Sequence, residues 1–173
     1  MDGRNIVLIG MPGSGKTTVA KVLEQRMRRT CLELDQLLVE RTGISIPEIV
    51  DTRGWDRFRD MESSIALEVS RKEARIISTG GGVVLRSENM MALRQYGFVV
   101  YLKCTIPVLV QRIGVDLNRP LITPQVTLEQ DLTERLRQRE RLYTRYNRFV
   151  VDGDNQDVDA KVAQILEAFG RLV

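Results

Sequence analysis

A lysine and a threonine close a glycine-rich run that follows an apolar strand directly. Gly10, Met11, Pro12, Gly13, Ser14, Gly15, Lys16 and Thr17 come after Ile6–Ile9 and open a helix-compatible stretch from Lys16 to about Met27. The pattern G-x-x-x-x-G-K-[ST], between a strand and a helix, is a phosphate-binding loop. Its glycines let the backbone wrap closely, so that several N–H groups point at one anion. The positive end of the helix dipole adds to that attraction. Lys16 reaches toward terminal phosphates, and the Thr17 hydroxyl suits Mg²⁺. The loop, extended to Thr18, is therefore read as a nucleoside triphosphate site and not as a glycine-rich turn that binds nothing.

Other residues with chemical potential follow two later apolar runs. After Cys31–Leu34 come Glu33 and Asp35, whose i, i+2 spacing on a strand points both carboxylates the same way. After Arg75–Ser78 come Thr79, Gly80, Gly81 and Gly82, a place where backbone can lie against a ligand. Two arginines interrupt apolar stripes. Arg139 occupies a stripe position among Leu128, Leu132, Leu136, Tyr143 and Tyr146, in a helix expected from about Thr127 to Asn147. Arg59 shares a face with Phe58, Ile65, Ala66 and Val69 in a helix expected to begin near Trp55, and Glu62 stands at ion-pairing distance along it. An inward-facing charge is costly unless paired, so both arginines are read as anion partners, with structural carboxylates as the alternative. Arg135, Arg137, Arg141 and Arg145 are read as solvated helix faces. Asp35 could accept a hydroxyl proton, and Arg119, in an irregular segment able to close, could stabilise a transferring phosphoryl group. Phosphoryl transfer asks mainly for positioning and electrostatics, so the set implies a kinase of a small anionic alcohol.

The elements that must hold these residues are strand-like runs at Ile6–Ile9, Cys31–Leu34, Arg75–Ser78, Phe98–Leu102 and Phe149–Val151, with helical patterns between them. This alternation predicts an α/β fold, a parallel sheet with helices on both faces, whose ligands sit at the carboxyl ends of the strands. Ser45-Ile-Pro-Glu48 and Thr127-Leu-Glu-Gln130 read as capping boxes, and Thr105 as an N-cap before an early proline. The stretch from Gly114 to Gln125 breaks the regularity and is read as a lid.

The 173 residues fit one domain, residues 1–173. No apolar run reaches the roughly 18 residues of a membrane helix, and the first residues do not resemble a signal peptide. A cytoplasmic protein is expected. With no histidine in the chain, imidazole bases and His-ligated zinc are excluded. Cys31 and Cys104 are expected to be buried free thiols. The net charge of +3 comes with only 5% aromatic residues and no recognition motif, which argues against nucleic acid. No long apolar seam stands out, so a monomer is the default.

Taken in order, these residues resemble the shikimate kinase family across nearly the whole chain. The phosphate loop is followed by Asp35-Gln36, Arg41-Thr-Gly43, Phe58-Arg59-Asp-Met-Glu62 and Thr79-Gly-Gly-Gly82. Val100-Tyr-Leu102, Arg119-Pro-Leu121 and Arg139-Glu-Arg-Leu-Tyr143 complete the set. The loop alone is generic; the ordered set is specific. The resemblance implies a three-layer α/β/α, nucleoside monophosphate kinase-like fold with a five-stranded parallel sheet. It implies ATP-dependent phosphorylation of the 3-hydroxyl of shikimate, on the route to chorismate and the aromatic amino acids. A substrate-binding region would span residues 33–62 and a lid residues 112–125.

In this reading Arg59 and Arg139 grip the shikimate carboxylate, and Glu62 orients Arg59. Asp35 holds ring hydroxyls and accepts the proton, while Gly80, Gly81 and Gly82 line the ring. Lys16 and Arg119 bracket the transferring phosphate, Thr17 holds Mg²⁺, and Arg112 stacks on adenine beside the loop Asp152–Asp157. Two positions depart from the family pattern. Glu33 stands where the family usually has the aspartate that supports Mg²⁺, often through water. Trp55 replaces an acidic or small residue and has no assigned role beyond packing. A gluconate kinase and a non-catalytic nucleotide-binding regulator are the alternatives.

Overall fold

A computed structural model describes residues 3–114, 127–155 and 157–171. Five strands, β1 (Asn5–Ile9), β2 (Cys31–Glu33), β3 (Ile76–Ser78), β4 (Gly97–Lys103) and β5 (Phe149–Asp152), form one sheet in the order β2-β3-β1-β4-β5. Every pairing is parallel. β1 is central, and its alternation divides the core in two. Val7 and Ile9 face one apolar cluster, while Ile6 and Leu8 face the other. Five helices supply the first cluster: α2 (Leu34–Thr42), α3 (Ile46–Ser70), α4 (Ser87–Tyr96), α5 (Ile106–Ile113) and α6 (Leu128–Tyr146). The second is closed by α1 (Lys16–Met27) and α7 (Val158–Gly170), through Leu23, Ile165 and Phe169. The architecture is therefore the three-layer α/β/α sandwich, with β1 feeding the phosphate loop and α1. Among the described residues no helix is long and apolar enough to cross a membrane.

Several local expectations are corrected. β2 stops at Glu33, and Leu34 already begins α2, so Asp35 lies in a helical first turn. Strand alternation does not align Glu33 with Asp35. A helix does restart at Trp55, as expected: Gly54, with φ of 79° and ψ of 165°, breaks the helical stretch that begins at Ile46 and re-aims the chain. Ser45 accepts from the Glu48 N–H at its start, and at Thr127 the capping box is reciprocal with Gln130. Thr105 occupies the N-cap of α5 without a side-chain cap bond. Arg135 is not solvated. It is 7% exposed and pairs with buried Asp131 at 2.7 Å, one helical turn away. Cys104 is buried, but Cys31 is only half-buried; both are free thiols.

Candidate active site

The phosphate loop is held from both sides. Gly10 has φ +147°, and a Cβ there would stand 2.6 Å from the Leu102 carbonyl oxygen. At Gly13, φ is +78° and a Cβ would stand 2.6 Å from Ile113 Cγ1. No other residue type fits either position without shifting β4 or α5. The Lys16 ammonium, 7% exposed, donates to the carbonyls of Gly10 (3.0 Å) and Met11 (2.8 Å) and to Ser14 Oγ (3.4 Å). Thr17 Oγ1 donates to Glu33 Oε2 at 2.8 Å. A cavity of about 360 Å³ is lined by Gly13, Gly15, Lys16, Thr17, Thr18, Glu33, Asp35, Thr79 and Arg112, among others. The fold thus brings Asp35 and Glu33 to the phosphate loop, as expected from the strand ends.

The glycine triplet forms the other wall, and each glycine is pressed by a different partner. A Cβ on Gly80 would stand 2.7 Å from Glu62 Oε1 and 2.8 Å from Asp35 Oδ1. On Gly81 it would stand 2.7 Å from Pro12 Cδ, so the triplet lies against the phosphate loop itself. On Gly82 it would overlap the Arg59 guanidinium. Arg59 Nη1 pairs with Glu62 Oε2 at 2.6 Å, and its guanidinium faces Phe58 (4.8 Å to the ring centre) and Trp55 (5.4 Å). Trp55 therefore packs on an arginine as well as on Phe58, which sequence alone did not show.

Arg139, 4% exposed, donates from Nη1 to the Gly81 carbonyl at 3.3 Å. Its Nε has no hydrogen-bond partner among the described residues. A buried guanidinium with an idle donor is suited to an incoming anion. Burial lowers the Arg139 pKa from the usual arginine range. Burial likewise raises the Glu62 carboxyl, opposed by the adjacent Arg59. Tyr143 donates its hydroxyl to the same Gly81 carbonyl at 2.5 Å and lies 3.7 Å from Met11 Sδ. Its ring stacks on Tyr101 with centres 4.9 Å apart. Burial pushes the Tyr143 hydroxyl up to about 12, so it remains a donor at neutral pH. Tyr143 belongs to the apolar stripe of α6, and its phenolic oxygen is the signal of a second role, since a buried tyrosine seeks a partner.

Arg112 lines the cavity rim, with Nη1 at 3.6 Å from Cys104 Sγ and Nη2 at 3.5 Å from the Asp154 carbonyl. Arg119, with nearly all of the proposed lid, lies outside the described residues. Asp35, Arg59, Gly80–Gly82 and Arg139 do converge, beside Lys16 and Thr17.

A family model described as shikimate kinase matches residues 12–169. The chain belongs to the shikimate kinase family. A shikimate kinase of Dechloromonas aromatica is 37% identical over 98% of this chain and 92% of its own length. The solved structure of an Acinetobacter baumannii shikimate kinase in complex with shikimate has a TM-score of 0.91 to this chain. It is 33% identical and covers 96% of this chain and 92% of its own. A gluconokinase from Sinorhizobium meliloti, 16% identical with a TM-score of 0.65, shares the fold alone; it covers 99% of this chain and 95% of its own.

Proposed function

We propose that the chain transfers the γ-phosphate of ATP to the 3-hydroxyl of shikimate, giving shikimate 3-phosphate and ADP in the biosynthesis of chorismate and aromatic amino acids. The observation that carries this reading is the meeting of a phosphate loop with two arginines, Arg59 and Arg139, across one glycine triplet. Arg59 and Arg139 hold the substrate carboxylate, one fixed by Glu62 and the other by the Gly81 carbonyl. Asp35, against Gly80, holds ring hydroxyls and takes the proton of the attacking one. Lys16 moves from the loop carbonyls to the terminal phosphates, and Arg119 completes the clamp from the lid.

Mg²⁺ fits the donor set. Thr17 Oγ1 and Glu33 Oε2 lie side by side on the phosphate cavity, and a hydroxyl with a carboxylate suits a hard cation. Thr17 would ligate it and Glu33 would support it, directly or through water. The ion would neutralise phosphate charge as it develops. The exchange of aspartate for glutamate keeps the charge and adds a methylene. A monomer acting in the cytoplasm on two small molecules is the accompanying reading, with residues 1–173 as one unit.

The Arg139→Ala variant tests the assignment. Losing one grip on the carboxylate should raise KM for shikimate at least tenfold, with KM for ATP changing less than twofold. Equal effects on both constants would place Arg139 in the fold or the nucleotide site instead.

A further inference from the structure

Lys161 stands apart from every other buried charge described. Glu62 has Arg59, Asp131 has Arg135, and Lys16 has its loop carbonyls. Lys161 is only 3% exposed, yet among the described residues its ammonium has neither a hydrogen bond nor an ion pair. The nearby charged groups, Arg112, Asp152 and Asp154, make no such contact with it. The carbon stem is buried, while the ammonium reaches an adjoining cavity without a protein partner. Burial, with Arg112 adding repulsion, lowers its pKa from the ordinary lysine range.

The side chain lines a cavity of about 380 Å³ together with Gly15, Thr18, Gln111, Arg112 and Val158. Gly15, Thr18 and Arg112 also line the phosphate cavity, so the two spaces adjoin at the start of α1. Phosphates seated on the loop would place whatever they are attached to in this second space, whose volume suits a small-molecule fragment.

We propose that Lys161 is a nucleoside-recognition residue, its ammonium donating a hydrogen bond to an acceptor atom of the nucleoside carried by the bound triphosphate. The proposal rests on the reading of the loop as an ATP site. It accounts for a charge that the fold leaves without a partner, and it assigns α7 a part in ligand choice.

Calorimetric titration with ATP and with inorganic tripolyphosphate, both with Mg²⁺ and without shikimate, separates the nucleoside from the phosphates. For Lys161→Met, ATP affinity should fall about tenfold, the scale of one charged hydrogen bond. Tripolyphosphate affinity should stay within about twofold. Lys161→Arg, which keeps a donor, should recover part of the loss. Because the lysine has no partner to lose, Lys161→Met should melt at or above the wild-type temperature. The proposal is overturned if ATP affinity is unchanged, if both ligands weaken in step, or if the methionine variant melts several degrees lower. A wild-type protein that binds neither ligand would overturn the ATP reading itself, and the proposal with it, an outcome distinct from the other three.

Discussion

Asp35 holds ring hydroxyls and takes the proton, two tasks that one substitution can separate, which makes it the sharpest single residue to change. Asp35→Asn keeps the shape and the contact with Gly80 but cannot accept a proton. Turnover should fall by at least a hundredfold, while shikimate affinity, measured by binding, falls less than tenfold. Unchanged turnover would remove Asp35 from the proton path. Tyr143→Phe tests a subtler link. It deletes the donor to Gly81 and leaves that carbonyl to Arg139 alone. A stability loss of about 1–2 kcal/mol is expected, with a higher KM for shikimate as the triplet loosens. At this scale the sequence was legible wherever a charge broke an apolar stripe, as at Arg59 and Arg139. The same test misjudged Arg135, because Asp131 one turn earlier allows burial as a pair. Lys161 carries the same signal, standing at helical spacing with Val158, Ile165 and Phe169 on the buried face of α7.

The elements act through where they press on the glycine triplet. Gly82 has an ordinary backbone, with φ −98° and ψ −1°, so alanine there meets no conformational strain. Its methyl group would instead displace the Arg59 guanidinium. Gly82→Ala should therefore raise KM for shikimate tenfold or more and leave KM for ATP and the melting temperature nearly unchanged. Gly43 supplies the opposite case. It ends α2 at φ +71° with nothing within 4 Å of an added Cβ. Gly43→Ala should cost about 1 kcal/mol of stability through backbone strain and spare both KM values. Strand and helix order were legible from alternating apolar runs because each element carries its own period. The β2–α2 junction was not. Leu34 continues the apolar run into the helix, so no turn residue marks the change. The restart after Gly54, by contrast, was legible, because the apolar stripe of Phe58, Ile65, Ala66 and Val69 belongs to the second helical segment alone.

For the molecule as a whole, the fold brings together, at the carboxyl ends of the strands, residues that are more than a hundred positions apart, as Met11 and Tyr143 are. Its stability should respond to alkaline pH through groups buried in the same layers. Burial pushes the Cys104 thiol up to about 11 and the Cys31 thiol up to about 12, against an ordinary 9.0. Below pH 9 both folded and unfolded chains hold these protons. Between pH 9 and 11 the unfolded chain releases them first, so it binds fewer protons and stability falls as pH rises. Melting temperatures should decline across that window, and less steeply in Cys104→Ala; an identical slope would remove the thiol from the balance. The most direct test of the central claim is phosphorus NMR of the purified protein with Mg²⁺-ATP and either shikimate or gluconate. The account predicts a new phosphomonoester on the 3-hydroxyl of shikimate, formed one-for-one with ADP, and almost none from gluconate. ADP formation that shikimate does not stimulate, or a product preferred from gluconate, would contradict it.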